Sequence, residues 1–267
     1  MSTSNRNSPG RAGRRTWLWG IAGIGIFLLV WQLGAGAVGS HLILPTPAAM
    51  LRAWLGLVGT ARFWTAVGGS FLRVLEAFLI SSVLGMITGT LSAWDSRVAS
   101  LLAPLLTGIR ATPVLALILL AMFWFPASQV PVFSAVLMGF PVMHTSTYAG
   151  IRARDPRLLE MSRLFAVPRS TRLLSLDLPS AWPYILSGAS NILGLSWKVV
   201  VAGEVLSQPA GALGSGMQEA RLMLETPLVF AWAATTITLC GISEFLLHRA
   251  SKAAWQAIGS AQHQTGV

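Results

Sequence analysis

The sequence predicts an all-α membrane protein with about six transmembrane helices. Of its 267 residues, 54% are hydrophobic and only 10% are charged, whereas charged residues make up roughly a quarter of an average soluble domain. Apolar runs of about 20 residues recur along the chain, each long enough to cross roughly 30 Å of hydrocarbon. The net charge of +10 comes from basic residues concentrated in the tails and one internal loop. These observations favour one membrane domain over a nucleic-acid-binding protein.

The chain begins with a basic tail, residues 1–16, that contains four arginines. An apolar run with tryptophans near both ends follows from residue 17 to about residue 35, and tryptophan is typical of membrane interfaces. A signal peptide is the alternative, because small residues follow the run. The apolar region of a signal peptide is usually shorter, so a retained first transmembrane helix is favoured.

Residues from about 40 to 64 are moderately amphipathic. One predicted helical face carries Met50, Leu51, Trp54, Leu55 and Val58. The pattern predicts a helix that lies in the membrane interface on the outer surface.

Five further apolar runs predict five further spans. They cover residues from about 71 to 94, 101 to 125, 130 to 150, 184 to 206 and 228 to 247. Pro113 lies inside the third span of the chain, where a missing N–H and a clash with the preceding turn should bend or break the helix.

A polar, arginine-rich loop separates the fourth and fifth spans. Asp155 is a good N-cap and Pro156 suits the first helical position, so a short helix should begin here and end near Val167. Pro168 should start a second short helix that Pro179 closes. An ordinary solvated loop with some helix remains the alternative.

The residues of this loop resemble a family motif. Glu160-Met161-Ser162, then Ala166, then Leu176 and the pair Leu178-Pro179 have the spacing of the EAA motif, E-A-A-x3-G-x9-I-x-L-P, of ABC-importer permeases. The resemblance implies that these seven residues belong to a cytosolic coupling helix that docks with an ATPase subunit. We call residues 151–183 the coupling segment.

Two residues of the coupling segment depart from that motif. Met161 replaces a small residue, and Ala166 replaces a glycine that could take a positive φ at about 1 kcal/mol less cost. We therefore expect Pro168, instead of residue 166, to set the turn.

The resemblance extends over residues 42 to 244 to permeases of the nitrate, sulfonate and taurine type. It includes the LILPTPAAML segment after the first span and the glycine-rich GALGSGMQEAR segment before the last. It implies the type I ABC importer permease fold, a permease homodimer, two ATPase subunits and an extracytoplasmic substrate-binding protein. It also implies a small anion as substrate, with a thiamine-precursor-like or other heterocyclic solute as the alternative.

Charge distribution predicts the orientation. With six spans, both tails and the coupling segment lie on one side of the membrane and hold most of the basic residues, which predicts that this side is the cytosol. The predicted location is the plasma (inner) membrane of a prokaryote. The predicted domains are a basic tail at 1–16, a permease domain at 17–250 and a second cytosolic tail at 251–267.

Charged residues inside spans are costly and are expected to be paired or functional. Arg73 and Glu76 lie one turn apart and can meet on one face, whereas Lys198 and Glu204 point about 120° apart. With Pro113, these four residues are candidates for the translocation pathway. The alternative is that they fix helix packing, with Lys198 reaching toward the interface or pairing with Glu76 or Glu204.

Several kinds of site are absent from the sequence. It has no G-x-x-x-x-G-K-[ST] loop, so ATP hydrolysis is expected in a separate subunit. Its four histidines form no metal-binding motif, and no cofactor or catalytic residue is predicted. Ser215 as an intramembrane nucleophile, and a secondary transporter driven by an ion gradient, are the alternatives from other classes.

Overall fold

The computed structural model describes residues 9–40 and 42–264, and it describes side chains over residues 18–40 and 42–252. The described chain consists of helices joined by short connections. The helices are α1 (Pro9–Val38), α2 (Pro47–Val58), α3 (Ala61–Trp94), α4 (Ser96–Ala111), α5 (Val114–Ala121), α6 (Val130–Arg152), α7 (Pro156–Leu164), α8 (Arg169–Arg172), α9 (Leu178–Ser207), α10 (Leu213–Leu222) and α11 (Thr226–Gln264). A π-helical turn, Leu173–Asp177, joins α8 to α9.

Within the described residues, five helices are long and apolar enough to cross a membrane, or six if the bent pair α4 and α5 counts as one span. The predicted all-α fold with about six spans is confirmed. The two terminal helices extend past the predicted limits of the permease domain, because α1 begins at Pro9 and α11 continues to Gln264. Residues 1–8 of the predicted first tail and 265–267 of the second lie outside the described residues.

Helices α3, α6 and α9 form the core. More than half of the apolar windows of α6 and α9 is buried, 56% and 61%, compared with 6% for α1 and 17% for α11. The core helices approach closely where one contributes glycine. A Cβ on Gly85 of α3 would lie 2.4 Å from the Cβ of Met143 in α6, so only glycine allows this contact. Small residues at crossings are typical of helices that pack within a membrane.

Helices α1 and α2 pack at the edge of this core. The Trp31 indole of α1 donates to the Pro45 carbonyl at 2.9 Å, and the Trp54 indole of α2 donates to Thr235 of α11 at 3.0 Å. The predicted amphipathic helix is present. Leu51 and Leu55 of its predicted apolar face are exposed on the single chain, whereas Trp54 contacts α11 and Leu57 packs against the core. The place of α2 at the outer surface of a membrane stays a prediction.

The third span is broken as predicted. Helices α4 and α5 meet at an angle of 98°. Thr112 ends α4 with its N–H bonded to the Gly108 carbonyl at 3.1 Å, and Pro113 starts the next helix with no N–H to continue the first.

The coupling segment contains the two predicted short helices, but their ends differ from the prediction. The first ends at Leu164, before Val167. The second does not end at Pro179: α8, the π turn and α9 form one continuous helix from Arg169 to Ser207. The wider π turn shifts the hydrogen-bond register, with the Leu178 N–H bonded to the Leu173 carbonyl. Pro179 therefore lies just after the π turn, inside the continuous helix.

The turn between α7 and α8 also corrects the prediction that Pro168 would set it. Ala166 has a φ of +49°, in the left-handed region. The Ala166 N–H bonds to the Arg163 carbonyl at 3.1 Å, and the Val167 N–H bonds to the Ser162 carbonyl at 2.9 Å. These two bonds form a Schellman motif, whose left-handed position glycine usually occupies. Alanine therefore takes the glycine conformation at a cost of about 1 kcal/mol.

Candidate functional site

Helix α7 protrudes from the core and has no buried residue. Its Leu158 and Met161 side chains are exposed, and Leu164 and Phe165 at its end are 84% and 76% exposed. Among the seven predicted coupling residues, Glu160, Met161 and Ala166 lie on this exposed part. The others are half-buried: Ser162, Leu176, Leu178 and Pro179. The structure therefore separates a protruding tip, α7, which includes Ser162, from a foot, residues 173–179, whose Leu178 packs on the core.

A buried carboxylate lies in the foot. Asp177, at the end of the π turn, is fully buried. Its Oδ1 accepts from Arg154 Nη1 at 2.6 Å and its Oδ2 from Trp94 Nε1 at 2.8 Å. Arg172 Nε lies 3.6 Å from Oδ2, and the Arg172 guanidinium lies 5.8 Å from the centre of the Trp94 ring. We call these four residues the Asp177 cluster.

Sequence reasoning missed the Asp177 cluster. Asp177 is the variable position of the family motif, and the two arginines counted only toward the charge of the loop. The available signal was an aspartate within the apolar sequence LLSLDLP, because a carboxylate in apolar surroundings needs cationic partners.

A second buried carboxylate lies at the other end of α9. Glu204 is fully buried, and its Oε1 accepts from Arg73 Nη1 at 3.0 Å. Ser70 Oγ lies 2.8 Å from both carboxylate oxygens, and the Gly214 N–H donates to Oε2 at 3.1 Å. Ser70 Oγ also accepts from the Leu213 N–H at 2.9 Å. We call Ser70, Arg73, Glu204, Leu213 and Gly214 the Glu204 cluster.

The Glu204 cluster also holds the connection between α9 and α10. Arg73 donates to the carbonyls of Ala210 and Gly211 at 3.1 and 3.3 Å. The expected contact between Arg73 and Glu76 does not form, because Arg73 turns toward Glu204 and this connection instead.

The five pathway candidates therefore separate into two groups. Arg73 and Glu204 are partners in the buried cluster. Glu76, Pro113 and Lys198 are exposed on the surface of the single chain. Among the described residues, neither Glu76 nor Lys198 has an ion-pair partner within 4.0 Å.

Glu76 and Lys198 lie in different surroundings. Glu76 lines an opening of about 290 Å³ beside Gln129 and Phe133. Lys198 lies one turn beyond Gly194, and a Cβ on Gly194 would lie 2.5 Å from the Glu244 carboxylate of α11. The two charges therefore lie near α6 and α11, respectively.

A cavity of about 350 Å³ lies beside the connection from α9 to α10. At its edge Arg62 forms an exposed ion pair with Glu219, and the hydrogen bond from Arg62 lowers the pKa of the Glu219 carboxyl. Ser215 also lines the cavity, and its hydroxyl donates to the Pro209 carbonyl at 2.7 Å. In the part of the chain that the structure describes, no three His, Cys, Asp or Glu side chains are grouped as metal ligands.

Comparison with known protein families gives one family model that matches residues 81–254: the binding-protein-dependent transport system inner membrane component. The chain is 30% identical over 229 residues to the putative aliphatic sulfonates transport permease protein SsuC of Bacillus subtilis, covering 85% of this chain and 82% of the relative. It is 33% identical over 207 residues to the protein of the same name from Escherichia coli, covering 75% and 76%. It is 26% identical over 232 residues to the bicarbonate transport system permease protein CmpB of Synechococcus elongatus, covering 80% and 82%.

Solved structures share the fold at low sequence identity. The inward-facing MetNI methionine ABC transporter has a chain that aligns with a TM-score of 0.63 at 15% identity, covering 71% of this chain and 96% of that one. A bacterial ABC transporter involved in alginate import aligns with a TM-score of 0.65 at 12% identity, covering 91% and 97%.

Proposed function

Because this chain belongs to the family of binding-protein-dependent transport system inner membrane components, we propose that it is the permease subunit of an ABC importer and that α7 docks with a separate ATPase subunit. The observation that carries the docking proposal is α7 itself. It has no buried residue, and it exposes Leu164 and Phe165 beside several arginines. Exposed apolar groups on a polar, protruding helix indicate a protein interface.

The motif resemblance supports the same location for the interface. It assigns seven residues to docking by the coupling segment: Glu160, Met161, Ser162, Ala166, Leu176, Leu178 and Pro179. In our proposal the exposed members contact the ATPase directly. Ser162 lies within α7, where its hydroxyl donates to the Leu159 carbonyl, and Leu176, Leu178 and Pro179 hold the foot of the segment against the core.

The proposed assembly contains two copies of the permease, two ATPase subunits and an extracytoplasmic substrate-binding protein. ATP closes the ATPase dimer, the two coupling segments move together, and the pathway between the permeases opens outward to receive substrate. ATP hydrolysis belongs to the ATPase subunits. Both chain termini and the coupling segment face the cytosol in this proposal, in agreement with the distribution of basic residues.

The pathway is proposed to include Glu76, Pro113 and Lys198, which are exposed on the single chain. A charged side chain at membrane depth is stable where it meets water, so the proposal places Glu76 and Lys198 on a water-filled path between the subunits. Relatives are named for aliphatic sulfonates and bicarbonate, which are anions. We therefore propose a small anion as substrate, with a heterocyclic, thiamine-precursor-like solute as the second candidate.

Transport assays on Lys198→Met test the pathway proposal. We expect the preference for anions to fall while the yield of folded protein is retained, because Lys198 is exposed and has no ion-pair partner within 4.0 Å among the described residues. Unchanged substrate preference with a lower yield of folded protein would assign Lys198 to helix packing.

Co-purification in detergent tests the function. The chain is expressed with its cognate ATPase as wild type, as Glu160→Lys and as Glu225→Lys, which changes an exposed glutamate between α10 and α11. We expect wild type and Glu225→Lys to retain the ATPase and Glu160→Lys to lose it. If wild type purifies without an ATPase, and transport persists without nucleotide, a gradient-driven carrier replaces this proposal.

A further inference from the structure

The coupling segment and the fifth span form one helix. The helix is not interrupted between α8 and α9, which are joined by the π turn that ends at Asp177. A force applied at the foot of the coupling segment therefore acts directly on α9. For the core to move as a unit, α3 and α6 must move with α9.

The Asp177 cluster connects these core helices at one point. Trp94 is the last residue of α3, Arg154 lies two residues beyond the end of α6, and Arg172 is the last residue of α8. Trp94 and Arg154 each donate to a different oxygen of Asp177. One carboxylate thus holds the ends of α3 and α6 against the start of α9.

Packing for stability alone does not explain a carboxylate at this position. Replacing a buried ion pair by apolar residues of similar volume is often neutral or stabilising, whereas removing one partner is strongly destabilising. What the pair provides is a defined relative position, because each oxygen accepts from a donor on a different element.

We propose that Asp177 is the positioning residue that makes the ends of α3, α6 and α9 move together when the ATPase moves the coupling segment. This inference rests on the proposed function. Asp177 lies at the foot and not on the exposed tip, so it acts on transmission of the movement and not on docking.

Three variants separate transmission from stability. Asp177→Asn removes the charge and leaves two arginines unpaired. The double variant Asp177→Asn with Arg154→Gln replaces the hydrogen-bonded ion pair by two neutral amides. Arg172 keeps its charge in this variant, but its side chain is 17% exposed and its Nε makes no hydrogen bond to Asp177, so little stability depends on it. Asp95→Asn is the matched control, because Asp95 follows Trp94 in the chain but is exposed and caps α4 through the Arg97 N–H.

The readout is the movement of the far end of the permease in the complete complex with its ATPase and binding protein. In a Cys240→Ser background, Leu222→Cys carries one spin label per permease copy, at an exposed site at the end of α10. The distance between the labels in the two copies is measured without nucleotide and after trapping with ATP and vanadate. ATP hydrolysis and thermal stability are measured on the same samples.

We expect wild type and Asp95→Asn to show a nucleotide-dependent change in this distance. The double variant should retain ATPase binding, ATP hydrolysis and near-wild-type stability but lose the change in distance. A double variant that is stable and still shows the full change would overturn the inference and leave the cluster a purely structural role.

Asp177→Asn alone is expected to lose stability as well as the movement. Recovery of stability in the double variant without recovery of the movement distinguishes positioning from folding. If wild type itself shows no change or binds no ATPase, the proposed function fails, which is a different result from failure of the inference.

Discussion

The two buried carboxylates at the ends of α9 are held in different ways. Glu204 accepts from a serine, an arginine and a backbone N–H, and the serine and arginine both come from α3. Asp177 accepts only from side chains, and its two hydrogen-bond donors come from separate elements. Arg172 Nε is buried without a hydrogen-bond partner, although it lies near the Asp177 carboxylate.

This difference separates an end of α9 that fixes a backbone connection from an end that joins separate helices. A backbone donor cannot change its rotamer, so the Glu204 cluster holds the connection from α9 to α10 in one geometry. The donors to Asp177 are side chains of separate elements, so the Asp177 cluster holds the ends of α3 and α6 to the start of α9, and in our proposal these ends move as one unit. The following predictions test this comparison, from the largest expected effect to the smallest.

Glu204→Gln should have the largest effect on stability. It leaves Arg73, whose side chain is only 15% exposed, without its counter-charge, and breaking a buried ion pair costs about 3–5 kcal/mol. The measurement is the unfolding midpoint of the detergent-purified chain. Glu76→Gln is the control, because Glu76 is exposed and should change the free energy of unfolding by less than about 0.5 kcal/mol. Equal unfolding midpoints for Glu204→Gln and Glu76→Gln would show that the buried Glu204 contributes no more to stability than the exposed Glu76.

Gly214→Ala tests whether the backbone near Glu204 is fixed. An added Cβ would lie 2.5 Å from the Glu204 Cβ and 2.6 Å from the Val201 carbonyl oxygen, and such overpacking typically costs about 1–3 kcal/mol. Gly56→Ala is the control, because no atom lies within 4 Å of its added Cβ in α2. A Gly214→Ala variant as stable as Gly56→Ala would show that this end adjusts.

Arg172→Gln should have a smaller effect. Arg154 and Trp94 retain both oxygens of Asp177, and Arg172 Nε makes no hydrogen bond, so the loss is expected to be about 1 kcal/mol, as for an ordinary single substitution. Arg154→Gln, which removes a bond of 2.6 Å, should cost distinctly more in the same unfolding experiment. The comparison fails if Arg172→Gln is the more damaging change, because Arg172 would then be the principal partner.

Arg62→Gln should have the smallest effect, about 0.2–1 kcal/mol, because the Arg62–Glu219 pair is exposed to solvent. Arg62 lowers the pKa of Glu219, so the contribution is present above the ordinary carboxyl pKa of about 4.3 and is lost as pH falls through the lower folded value. Unfolding midpoints measured from about pH 6 to about pH 3 should therefore converge for wild type and Arg62→Gln. Increasing salt at neutral pH should reduce the difference, and a difference that grows at low pH contradicts the assignment.

The number of spans could be predicted because it follows from the length of the apolar runs. The bend at Pro113 could be predicted because proline has no N–H to donate. The sequence did not identify the partner of Arg73, because Glu204 lies 131 positions away and the helical-face argument compares only near neighbours. The fusion of α8 with α9 was missed because the rule that proline ends an α-helix leaves out a π turn. Ala166 was missed because glycine is so much better at a positive φ that alanine was expected to avoid it.

The length of the continuous helix has a mechanical consequence. A helix of 39 residues, Arg169 to Ser207, has a length of about 58 Å at 1.5 Å per residue. A tilt of about 5° about the Arg169 end would therefore displace the Ser207 end by about 5 Å, close to the rise of one helical turn. In the assembly that we propose, a small rotation of the coupling segment on the ATPase would thus be converted into a displacement large enough to change which side chains lie at the opposite end of the helix.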